Sequence, residues 1–140
     1  LCEHVRDLAA RERTFFLVPT LEYLHKGGRI GGAAKLIGTL LQIVPILTLK
    51  DGQVEVYEKV RSMKQAINVL VELNVNICEN NPEAYLTMGH CDSQELFDRI
   101  SNQLRDRLGH AEIPSLSAPP AIIVHAGPGL VVTSCFTKPE

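Results

Sequence analysis

Apolar positions change period several times along this chain, and the changes divide it into elements. Leu1 to Arg13 places Val5, Leu8 and Ala9 on one face and predicts a helix. Phe15 to Val18 is a short apolar run stopped by Pro19, which predicts a buried strand. Thr20 is a fitting cap for a helical turn over Leu21 to His25, and Gly27-Gly28 supplies the left-handed residue that ends such turns. Ala33 to Leu41 reads as a compact apolar helix. Val44 to Leu49 and Val54 to Val60 then flank Lys50-Asp51-Gly52-Gln53, and Asp-Gly between β-branched runs signals a hairpin.

The second half returns to the helical period. Ser62 is placed to cap Met63 to Cys78, whose Ala66, Ile67, Leu70, Val71 and Leu73 form one apolar face, and Asn80-Asn81-Pro82 breaks it. Ala84 to Cys91 predicts a strand, and a helix over Gln94 to Leu108 is capped by Ser93 and closed by Gly109. Ala111 to Leu116, Ile122 to His125 and Leu130 to Phe136 are read as further strands, separated by Pro119-Pro120 and a Gly-Pro-Gly turn. Hairpins and helical crossovers together imply an α/β fold: a two-layer domain with a mixed sheet of about six strands and helices on one face.

One stretch stands apart, LEYLHKGGRIGGAAKLIGTLLQIVPILTL (Leu21 to Leu49). Four of the six residues from Gly27 to Gly32 are glycine, so the backbone there must turn sharply or lie close to another group. Arg29 is thereby held on a tight loop, where its planar fork suits a carboxylate or phosphate, although an arginine after a glycine pair is as often a solvated charge or a helix cap. The apolar run that follows is too short and too interrupted to span a bilayer. Ile30, Leu36, Ile37 and Leu40 lie nearest the loop and are the candidates for contact with an apolar ligand, against the commoner reading of each as packing. His125 precedes Ala126-Gly127-Pro128-Gly129, and a strand end followed by a glycine-rich turn is where α/β sheets bind ligands. Its plain alternative is a surface histidine satisfied by a carbonyl.

The 140 residues suffice for one domain, and a net charge of −2 without a basic stripe disfavours nucleic acid. A chain that opens on Leu1 in a helical stretch is expected to continue something longer. Cys2, Cys78, Cys91 and Cys135 form no C-x-x-C pair, so reduced, mostly buried thiols and a cytoplasmic setting are expected. Adjacent His90 and Cys91 point to opposite faces of a strand and predict no metal site. Phosphate loops, nucleophile elbows and paired acid/base carboxylates are missing, which argues for a binding module and no cofactor.

LEYLHKGGRIGGAAKLIGTLLQIVPILTLKDGQVEVYEKVRS, followed by a helix and then HAGPGLVV (His125 to Val132), resembles the DegV family of fatty-acid-binding proteins in the part that forms its C-terminal domain. On that resemblance residues 1–13 are a linker helix from a missing N-terminal domain and residues 14–140 a lipid-binding domain. It implies a long-chain fatty acid as ligand, a carboxylate that accepts from His125 and from Ser and Thr of the missing domain, and phosphorylation of that carboxylate by a separate fatty-acid kinase, with Arg29 near the head group. The ligand contacts are then Arg29, His125, Gly28, Ile30, Leu36, Ile37, Leu40 and Gly127. The competing class is a phosphate- or nucleotide-handling enzyme domain using the GGRIGG and HAGPG loops as anion cradles. A purely structural interaction domain is a third.

Overall fold

The computed structural model describes residues 1–39, 42–109 and 112–137. In chain order the elements are α1 (Cys2–Ala10), β1 (Glu12–Leu17), α2 (Glu22–Lys26), a 3₁₀ turn (Gly31–Leu36), β2 (Val44–Lys50), β3 (Gln53–Val60), α3 (Met63–Asn80), β4 (Tyr85–His90), α4 (Gln94–Leu108), β5 (Ser115–Ser117), α5 (Pro120–Ala126) and β6 (Val131–Phe136). The strands form one mixed sheet in the order β3-β2-β1-β6-β4-β5, in which only β4 and β5 pair in parallel. The hairpin turns on Asp51 and Gly52, both left-handed at φ 51° and 75°, the geometry whose twist matches that of the flanking strands.

Alternation along the strands divides the core in two. Phe15, Leu17, Ile46, Met88, Val131 and Cys135 face α3 and α4, whose Leu70, Val71, Ile100 and Leu104 cover them. Buried among these is Asn74, whose Nδ2 donates to the Leu70 carbonyl at 2.8 Å and to Thr133 Oγ1 at 2.9 Å. Phe16, Val18, Leu47 and Val54 face the other way, onto Leu24 of α2, Ala33 of the 3₁₀ turn and Ala126 of α5. The two long helices therefore share one face, as the pattern predicts, and the short helical segments sit on the other. On α1 no residue is buried.

Several expected elements take a different form. Ile122 to His125 is helical rather than a strand, because Pro120 stands at the first helical position and the amides of Ile122 and Ile123 both donate to the Pro119 carbonyl, at 2.9 and 3.1 Å. The β-branched composition was the misleading signal. The helix expected over Ala33 to Leu41 is a 3₁₀ turn that is over by Leu36, with Gly38 at φ 76° just beyond it. Ser62 caps α3 through the Gln65 amide at 3.2 Å, whereas Ser93 precedes α4 without a side-chain cap bond and its own amide donates to His90 Nδ1 at 3.3 Å.

Candidate functional site

The second face of the sheet is only partly covered, and where α5 bridges towards α2 it leaves a cavity of about 250 Å³. Phe16 and Val132 form its floor from neighbouring strands, Leu24, Val54 and Leu130 its sides, and Ile122, His125 and Ala126 of α5 its roof. Thr14, Arg29 and Leu49 complete the lining, and the surface that the cavity exposes is apolar.

The two glycine-rich segments meet here because each removes side-chain bulk where the other needs room. A Cβ on Gly27 would stand 2.6 Å from His125 Nδ1, so the imidazole lies directly on the loop before Arg29. A Cβ on Gly127 would strike the ring of Tyr23, and one on Gly129 would come within 2.6 Å of Pro19. His125 is half-buried, its Nδ1 buried without a hydrogen-bond partner. Arg29 is exposed and has neither ion pair nor side-chain hydrogen bond among the described residues. Its neighbour Lys26 is engaged with Glu22 at 2.6 Å, an exposed pair in which the mutual hydrogen bond lowers the Glu22 pKa and raises that of Lys26.

Five backbone amides of the two loops are engaged within the fold. Those of Gly27, Gly28 and Arg29 donate to Tyr23, His25 and Leu24 carbonyls at 2.9, 3.1 and 2.8 Å. Those of Gly127 and Gly129 donate to Ile123 and Cys91 at 2.8 and 2.7 Å.

Of the residues singled out in the sequence, the structure brings Arg29 and His125 to one cavity, with Gly127 ending the helix that carries His125. The strand-end setting expected for His125 is corrected: it occupies the last turn of α5. Ile30 packs in the cluster beneath the loop. Gly28, at φ 67°, faces open space. Leu36 and Ile37 line a separate hollow of about 450 Å³ with Val18, Pro19 and Met63, and Leu40 lies outside the described residues. The walls contributed by Phe16, Leu24, Val54, Leu130 and Val132 were not foreseen. For Phe16 and Val132 the available signal was strand alternation. Among the described residues no group of three His, Cys, Asp or Glu gathers as a metal would require, and no helix is long and apolar enough to cross a membrane.

A family model described as "Uncharacterised protein, DegV family" matches residues 1–138. A DegV domain-containing protein of Clostridium perfringens is 52% identical over 124 residues, covering 88% of this chain and 43% of the relative. The crystal structure of a fatty acid binding DegV family protein from Streptococcus agalactiae superposes with a TM-score of 0.87 at 27% identity, over 99% of this chain and 49% of the other. DegV of Bacillus subtilis, described as a fatty acid binding protein, gives 0.79 at 26% identity, over 97% and 48%. The chain spans about half the length of the curated relatives it matches.

Proposed function

Because the chain belongs to the DegV family, we propose that it is the half of a fatty-acid-binding protein that houses the acyl chain, with the carboxylate held at its boundary with an N-terminal domain and offered to a separate fatty-acid kinase. The observation that carries this reading is the apolar cavity with Arg29 and His125 at its edge. Acyl burial is favourable by about 0.8 kcal/mol per CH₂, so a mainly apolar lining suits a hydrocarbon tail. Ile122 and Leu49 line the cavity yet remain 46% and 47% exposed, apolar surface that a second domain would cover. With Nδ1 turned onto Gly27, His125 has Nε2 left to donate to a carboxylate. Arg29 is a cation free to meet charge developing outside the cavity, as in transfer of a phosphoryl group to that carboxylate. The linker expected over residues 1–13 shortens to α1 (Cys2–Ala10), on which no residue is buried, because Glu12 and Arg13 belong to β1 and pair with Phe136 and Cys135.

The test is a titration of the full-length protein with a long-chain fatty acid, alongside thermal unfolding. His125→Ala is expected to weaken binding roughly tenfold to a hundredfold, the value of a hydrogen bond to a charged acceptor, with the melting temperature nearly unchanged. Arg29→Ala is expected to slow kinase-dependent phosphorylation more than it weakens binding, and Arg29→Lys to recover part of the rate. Unfolding by His125→Ala at unchanged affinity would make that histidine structural. Unchanged transfer by Arg29→Ala would remove the guanidinium from the mechanism.

A further inference from the structure

On the opposite face of the sheet from the cavity, α3 crosses β6 in a register fixed by the buried hydrogen bond from Asn74 to Thr133. One helical turn beyond Asn74 is Cys78, and two residues beyond Thr133, on the same face of the strand, is Cys135. Four helical residues advance about 6 Å and two strand residues about 7 Å, so the second pair falls into line with the first. Cys78 packs there against the buried cluster that holds Cys135, and the two thiols shift each other's pKa. Cys135 has no exposed surface, while Cys78 is half-buried at the end of α3. We propose that Cys78 and Cys135 form a site of reversible oxidation, in which hydrogen peroxide converts the facing thiols to a disulfide between α3 and β6.

Their mutual interaction gives the two sulfurs different roles. It lowers the pKa of Cys78, against the effect of burial, and together with burial it raises that of Cys135. The Cys78 thiolate, nearer to solvent, attacks the O–O bond and becomes a sulfenic acid as hydroxide departs. Cys135 sulfur then displaces the hydroxyl from Cys78 sulfur, and its proton leaves with that hydroxyl as water. Two thiols and one peroxide thus become one disulfide and two waters. Cys91 packs in the cluster on the other face of the sheet, and Cys2 is exposed on α1.

The experiment treats the protein with hydrogen peroxide, unfolds it, alkylates the remaining thiols and maps the digest by mass spectrometry without reductant. The expected result is a cross-linked peptide joining Cys78 to Cys135, with both regaining alkylation after dithiothreitol. In Cys135→Ala, oxidation should stop at a Cys78 sulfenic acid that dimedone traps, an adduct largely missing from the oxidised wild type. Should that variant fail to fold, Cys78→Ser, altered at a half-buried position, must abolish the cross-link. Persistence of the Cys78 sulfenic acid in the wild type, or full alkylation of both cysteines under peroxide that oxidises Cys2 or Cys91, overturns the proposal.

Discussion

Gly31→Val is expected to destabilise the domain by about 3 kcal/mol or more, while Gly28→Ala, three residues earlier in the same glycine-rich loop, should cost only about 1 kcal/mol. Both positions have positive φ, 51° and 67°, so both replacements carry the left-handed penalty, which is worse for a β-branched side chain. What separates them is what a Cβ meets. At Gly28 it enters open space; at Gly31 it drives into the backbone carbonyl of Val54, in the strand against which the 3₁₀ turn is seated. A strand carbonyl cannot swing aside as a side-chain tip can, so the turn must lift from β3 and expose Ala33. In thermal unfolding the two variants should fall on the order of 10 °C and 3 °C below the wild type. Equal losses would mean that the turn is not held on β3.

Ala126→Phe is expected to abolish fatty-acid capture by the full-length protein, a loss of a hundredfold or more, with little change in stability. Ala126 is buried in the last turn of α5 and lines the 250 Å³ cavity, so a ring at this position takes the space proposed for the acyl chain. Overpacking a filled core costs about 1–3 kcal/mol, but here room already exists to receive the added atoms. Calorimetry with a long-chain fatty acid, and native mass spectrometry for co-purified lipid, give the readout. Retained affinity would move the acyl chain elsewhere, with the hollow beside Leu36 and Ile37 the next place to look.

Local chemistry made much of the fold legible. Asp51-Gly52 specified the hairpin, and Gly109, left-handed at φ 67°, closes the helix Gln94–Leu108 as predicted, although Ser93 makes no side-chain cap bond at its start. Ile122-Ile123-Val124 misled because β-branched residues usually announce a packed strand. Here they are 46%, 37% and 67% exposed on a helix started by Pro120, with Ile122 over the cavity, and none holds a sheet position. At the site, Arg29 and His125 were marked by their glycine-rich surroundings. The cavity floor was not, since Phe16 and Val132 lie opposite each other only through the pairing of β1 with β6, and no local signal announces a partner at that separation. The function of Gly27 escaped for the same reason: the group that needs its space is an imidazole from the far end of the chain.

The place of β1 between β2 and β6 has a consequence for biosynthesis. The β2–β3 hairpin can offer one edge of β1 a partner early, but the other edge waits for Val131–Phe136, which pair with Leu17 through Glu12. At roughly 5–20 residues per second, translating from Val60 to Val131 leaves that edge open for several seconds. Phe15, Phe16, Leu17 and Val18, all buried in the finished domain, stand exposed along or just beyond it in the meantime. Such a β-prone apolar edge invites pairing with another nascent chain. The domain therefore completes its central sheet only once β6 has been made, and its yield in the cell should depend on holdase chaperones more strongly than its native stability would suggest.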